Sequence, residues 1–257
     1  MAKSILKLTG VLLLVAVAFF WGANQDRIRQ WLAGQPYLQG IAKHLGKEGT
    51  QDTTEWVEKL RKGGYILFFR HANRDKWPEV TAFDLYEIAT KIEDASNTTF
   101  KKAVCLSDQG IEEAKIIGKI FQLARIPTGH IVTSPSCRAR QTATHAFGRY
   151  DAVDMSIRFA GLVGDKAFGG SQDRLLTLLR TIRINPGTNT VISGHGINLG
   201  PNGVGGVEGD FPGGNSAGLL ETGFYVIERR GDGTLRLVAT FKSISDLARP
   251  AIKIPPG

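Results

Sequence analysis

The chain has 257 residues, 42% hydrophobic and 22% charged, which suits one globular α/β domain with an appendage. Its formal net charge of +8 favours anionic partners, yet no basic run interleaved with aromatics argues for nucleic acid. Two cysteines, Cys105 and Cys137, are too few for a disulfide scaffold and leave no C-x-x-C metal spacing; they form either one disulfide in an oxidising compartment or two thiols.

Leu8 to Trp21 is an almost unbroken apolar stretch preceded by Lys3 and Lys7. It reads as a signal peptide or a signal anchor occupying residues 1–23. Ala16-Val17-Ala18 offers a cleavage pattern, but Phe19, Phe20 and Trp21 keep the run apolar beyond it, which favours an uncleaved anchor. Lys3, Lys7 and the free amine put the N-terminus in the cytoplasm. The rest of the chain is then expected outside: a single-pass protein of the inner membrane, or a periplasmic one if the signal is cleaved. Residues 24–54 read as a polar stalk or linker, and 55–250 as the folded domain.

Within that domain a short helix, Glu55–Lys62, is capped by Thr53 or Thr54 and stops at Gly63-Gly64. A buried strand follows at Tyr65–Phe69. Lys76–Val104 lacks strand period and holds a helix-like patch, Phe83–Ile92, and a polar loop, Asp94–Thr99. Ser107-Asp108 opens a helix through Ala124, with Ile111, Ala114, Ile117, Gly118 and Phe121 on one face. Ile131–Thr133 is a strand, Arg138–Phe147 a helix, Ser171–Ile184 an amphipathic helix and Thr190–Ser193 a strand. Gly196–Gly218 is a Gly-rich loop. Phe224–Glu228 and Leu235–Phe241 pair as a hairpin across Gly231-Asp232-Gly233. Strands alternating with helices imply an α/β sandwich with a mainly parallel sheet.

Three strands finish on residues suited to an anion: Arg70 and His71 in ILFFRHANR, Arg138 in IVTSPSCRARQT, and His195 in VISGHGINL. The C-terminal edge of a parallel sheet is where α/β folds place ligands. A nucleophile beside fixed positive charge points to a phosphate. His71 is the candidate nucleophile; a neutral imidazole attacks phosphorus while an acceptor, expected to be a backbone carbonyl, holds its other nitrogen and fixes the tautomer. Arg70, Arg74 and Arg138 would hold the non-bridging oxygens, since guanidinium forks match phosphate and stay charged. His195, if protonated by the anion, adds a donor. Ser134 serves equally as a phosphate contact or as a turn residue before Pro135. Arg140 faces away, and His44, His130 and His145 read as structural. The histidines are scattered without a carboxylate cluster, so no metal and no cofactor is expected.

In these ordered motifs, Arg70-His71-Ala72, Ser134 to Thr142 with Arg138 and Ala139 in register, and the late His195, the chain resembles the histidine phosphatase superfamily over roughly residues 55 to 245. The resemblance implies a three-layer, phosphoglycerate mutase-like sandwich and a metal-independent phosphomonoesterase working through phosphohistidine. It also implies that the insertion after the first catalytic strand covers the site. Ala72 stands where Gly is usual. Arg74 follows the phytase and acid-phosphatase branch, but Gly196 replaces the Asp that follows the second His there. The export signal, Arg-His-Ala-x-Arg and Cys105-Leu106-Ser107-Asp108 together are similar to bacterial lipopolysaccharide core heptose phosphatases. A phosphorylated small molecule or glycan is the expected partner, and the membrane another.

The proton donor is the open assignment. Glu221 is preferred, as the start of a strand expected to follow the His195 strand in the sheet. Asp165 is the alternative, in the region where the mutase branch keeps its Glu; Asp154 lies in the same stretch. The rival functions are a phosphomutase of the same fold and a catalytically weak phospho-ligand binding module.

Overall fold

A computed structural model describes residues 53–75, 102–157, 172–196, 206–209 and 219–253. The anchor, the stalk up to residue 52, the Phe83–Ile92 patch, the Asp94–Thr99 loop, Asp165, His44 and most of the Gly-rich loop lie outside the described residues. Among the described residues no helix is long and apolar enough to cross a membrane.

Helix α1, Thr53–Lys62, starts two residues earlier than the sequence reading. Glu55 in its first turn and Lys59, Arg61 and Lys62 in its last complement the helix dipole. It ends at Gly63, whose φ of 74° and close approach to Gly187 admit no side chain. Strand β1, Tyr65–Arg70, follows at once. The later elements are α2 (Asp108–Leu123), β2 (Thr128–Thr133), α3 (Cys137–Phe147), β3 (Ala152–Val153), a 3-10 turn at Met155–Ile157, α4 (Gln172–Thr181), β4 (Asn189–Gly194), β5 (Val207–Glu208), β6 (Phe224–Arg229), β7 (Leu235–Phe241) and α5 (Ile244–Lys253). Strand β2 begins three residues before the expected Ile131, because Thr128 still pairs with Asn189 of β4 across an irregular register.

The seven strands form one sheet in the order β3-β2-β4-β1-β6-β7-β5. The block β3-β2-β4-β1 is parallel throughout. β6 is antiparallel to both β1 and β7, and β5 is parallel to β7. From β1 the chain steps one way through α2 and α3 to β3, then reverses through α4 to insert β4 between β2 and β1. Right-handed crossovers require a reversal of direction to change faces.

The core follows that rule. In β1, Ile66 and Phe68 point to one face and join Leu175, Leu179 and Ile182 of the α4 region, with Ile192, Tyr225 and Ile227. Phe69 points to the other face. It stacks on Phe224 at 4.6 Å between centroids and meets Phe121 of α2 and Phe147 of α3 at 5.8 and 6.0 Å. Burying each such ring contributes about 1.5–3 kcal/mol. Burial on both faces is why β1 is a continuous apolar run rather than an alternating one.

One expectation is corrected. The strand after Glu221 does not lie beside the His195 strand; β1 lies between β4 and β6. Because β6 is antiparallel to β1, its start lies at the same edge as the ends of β1, β2 and β4. Backbone bonds fasten that edge: His71 N–H to Gly194 O at 3.0 Å, Thr222 N–H to His71 O at 3.2 Å, and Ser134 N–H to Ser193 O at 2.8 Å. The two cysteines form the disulfide Cys105–Cys137, which ties the segment before α2 to the first residue of α3.

Candidate active site

His71 follows β1 directly and is almost fully buried. Its Nδ1 lies 2.7 Å from Ala72 O. A carbonyl only accepts, so Nδ1 carries the proton and Nε2 the lone pair. Burial lowers the His71 pKa well below 6.5; Arg138 lowers it further, the Ala72 carbonyl opposes, and Arg70 and Arg74 add to the lowering. The ring is therefore neutral. Ala72 is fully buried with Leu106 and Ala114 packed near it, and its N–H donates to Thr142 Oγ1 at 3.0 Å. That hydroxyl donates in turn to Arg138 O at 2.8 Å. Helix α3 thus holds the His71 turn directly.

Arg138 sits in the first turn of α3 and is 2% exposed. Its Nη2 lies 3.2 Å from His195 Nδ1. A guanidinium only donates, so His195 Nδ1 accepts and its Nε2 bears the proton. That nitrogen donates to Ser134 Oγ at 2.9 Å, with Ser136 Oγ at 3.4 Å. Burial first, then Arg138, then His71, Arg74 and Arg70 lower the His195 pKa well below 6.5. Without an anion the ring is therefore neutral; the sequence reading expects its protonation only when an anion is bound. A proton on Nδ1 would set two donors face to face, and only an anion would offset that. The rings of His71 and His195 are 5.5 Å apart.

Arg70 ends β1, and its Nη1 donates to Leu219 O at 2.8 Å. Gly196 passes close: a Cβ there would lie 3.3 Å from Arg70 Cδ. Arg74 is half-buried at the rim, with Nη1 donating to Asp75 O at 2.8 Å, and its charge acts on both histidines. Glu221, from the corner before β6, has Oε1 3.7 Å from Arg70 Nη2 and Oε2 accepting from Asn73 Nδ2 at 3.0 Å. So His71, His195, Arg70, Arg138 and Glu221 lie at one sheet edge, with Arg74 at its rim. Arg140 turns elsewhere, donating to Pro135 O at 2.5 Å. His130 pairs with Asp151, while Asp154 follows β3 at the same edge, its N–H donating to Thr133 O at 2.9 Å and its Oδ1 accepting from Ser156 N. Among the described residues no group of three or more His, Cys, Asp or Glu side chains would hold a metal.

Three supporting residues escaped the sequence reading. Glu113 is buried and accepts from Asn73 N at 2.9 Å. Its signal was a carboxylate on the same helical face as Gly110, Ala114 and Ile117. Gln141 Oε1 accepts from Leu106 N at 2.8 Å. Thr142 stood inside the second motif without a role.

No family model and no curated protein sequence matches the chain. Among solved structures it is similar to the protein histidine phosphatase SixA complexed with tungstate, at 14% identity and a TM-score of 0.43, over 69% of this chain and 96% of that one. It is also similar to phosphoserine phosphatase from Entamoeba histolytica in complex with 3-phosphoglyceric acid, at 14% identity and a TM-score of 0.39, over 70% of this chain and 98% of that one.

Proposed function

We propose that this protein is a phosphomonoesterase that transfers a phosphoryl group first to His71 and then to water. The observation that carries the reading is the bond from His71 Nδ1–H to Ala72 O, which leaves Nε2 as the nucleophilic nitrogen beside Arg70, Arg138 and His195. In the first step the P–N bond to Nε2 forms as the P–O bond to the leaving group breaks. Glu221 gives its proton to the departing oxygen. In the second step water attacks phosphorus, its proton returns to the Glu221 carboxylate, the P–N bond breaks and inorganic phosphate leaves. The guanidiniums of Arg70 and Arg138, with Arg74 from the rim, neutralise the phosphoryl oxygens throughout. His195 donates to them once the bound anion favours its imidazolium. A carboxylate beside Arg70 supports an enzyme over a mere phospho-ligand binder.

The test is release of inorganic phosphate from an aryl phosphate. Wild type should turn over and keep its rate in chelator, while His71→Ala should lose activity by at least about 10³-fold, as expected when a nucleophile is removed. Activity of the Ala variant within tenfold of wild type would sink the assignment.

The same proposal extends to location and substrate. The Cys105–Cys137 disulfide supports an oxidising compartment, in line with an anchor at Leu8–Trp21 that leaves the catalytic domain outside the cytoplasm. A phosphorylated envelope sugar, as in the heptose phosphatases the motifs resemble, is the substrate class we favour. A reporter active only outside the cytoplasm, fused after Gly257, should be active, and a cytoplasm-dependent one silent. The reverse pattern would overturn this topology.

A further inference from the structure

Asn73 stands two residues after the nucleophile, and its side chain spans two elements that are far apart in the chain. On one side Ser107 Oγ lies 2.8 Å from Asn73 Oδ1; on the other, Nδ2 lies 3.0 Å from Glu221 Oε2. The orientation of this amide follows from chemistry. Ser107 is the N-cap of α2, and its Oγ accepts from Gly110 N at 3.1 Å. A flipped amide would set Oδ1 against a Glu221 oxygen, so the Ser107 hydroxyl proton goes to Oδ1, with Asn73 O a longer acceptor at 3.4 Å. Nδ2 is then turned to the carboxylate.

The backbone of Asn73 is held as firmly. Its N–H donates to the buried Glu113, and its carbonyl accepts from Ser107 N at 3.2 Å. Gly110 backs onto that carbonyl so closely that a Cβ would lie 1.9 Å from the oxygen. A residue on an exposed turn would not need a helix N-terminus, a buried carboxylate and a glycine to fix it.

The consequence falls on Glu221. Its Oε2 is engaged by Asn73, whereas Oε1 lies 3.7 Å from Arg70 Nη2, beyond hydrogen-bond reach. We propose that Asn73 is a positioning residue for proton transfer: it pins Oε2 of Glu221 so that Oε1 is the oxygen that gives the proton to the leaving group. This rests on the reading of Glu221 as the general acid. Misplacing a donor by a fraction of an ångström harms only those substrates whose leaving oxygen needs the proton.

The experiment compares kcat/KM for an alkyl phosphate and an aryl phosphate with an acidic leaving group, because this parameter reports transfer to the enzyme. Four proteins are measured: wild type, Glu221→Gln, Asn73→Leu and the double variant, with thermal melts confirming that each is folded. Asn73→Leu keeps side-chain volume without the amide. It should lower the alkyl value about tenfold, part of the 10²–10⁴-fold a general acid supplies, and the aryl value less than about twofold. The double variant should be no worse than Glu221→Gln alone, because both changes remove one function. Should Asn73→Leu fail to fold, Ser107→Ala, which frees the amide to turn, should show the same alkyl-selective loss.

An equal loss on both substrates, or losses that multiply in the double variant, would overturn the role of Asn73 while Glu221→Gln still discriminates. If Glu221→Gln itself loses alkyl and aryl activity equally, Glu221 is not the acid, and the inference falls with it.

Discussion

Two buried imidazoles, His71 and His195, lie beside the guanidinium of Arg138. Both stay neutral for the same reasons, burial first and Arg138 second. The pH consequence has a definite sign. An unfolded histidine titrates near 6.5, while the folded pKa of each lies well below that. As pH falls below about 6.5 the unfolded chain takes up protons that the folded one refuses, so stability is lost from there down to the folded values. Each histidine contributes at most about 1.4 kcal/mol per pH unit in that window. Melting temperature in phosphate-free buffer should therefore fall between pH 7.5 and 5.5 more steeply for wild type than for His71→Gln/His195→Gln. Parallel curves for the two proteins would contradict the neutral assignment. His71, Arg138 and His195 were legible in the sequence because each is a polar residue just past a short apolar run. That a backbone carbonyl would hold one His71 nitrogen was legible too; which nitrogen meets the Ala72 carbonyl, and which nitrogen of His195 meets the Arg138 guanidinium, was not.

Among the elements, the parallel block and the closing hairpin were legible from short apolar runs separated by helical periodicity. Their boundaries held within a few residues: α2 runs Asp108–Leu123, and β6 and β7 pair as expected. The neighbours of β6 were not legible. Apolar strands such as Phe224–Arg229 carry no label for the strand beside them, and sheet order emerges only from crossover handedness and packing. Its true position next to β1 brings Glu221 closer to His71 than a place beside β4 would. The buried Glu113 was hidden for a related reason. Periodicity reads the apolar face of a helix, whereas a carboxylate on that face is kept by partners such as Gln109 Nε2 and the backbone N–H of Asn73, the latter 40 residues away in sequence. The disulfide was undecided between two readings, because pairing depends on Cys105 and Cys137 meeting across 32 residues.

At the scale of the whole molecule, one sheet edge collects residues from four segments: the end of β1, the turn into α3, the end of β4 and the start of β6. Three of these are ends of parallel strands, and the fourth comes from the antiparallel strand that closes the sheet beside β1. This is how a chain with a net charge of +8 gathers Arg70 and Arg138, with Arg74 at the rim, around two neutral rings and one carboxylate. If the proposed chemistry holds, phosphorus becomes bonded to Nε2 of His71 during turnover. Rapid quenching in alkali during steady-state hydrolysis, followed by peptide mapping, tests it most directly, because phosphohistidine survives base and not acid. A phosphoryl group should appear on the peptide containing His71, be absent in His71→Ala and accumulate in Glu221→Gln when the substrate has an acidic leaving group. A turning-over enzyme with no trapped phosphate on that peptide, or with the phosphate on His195, would contradict it.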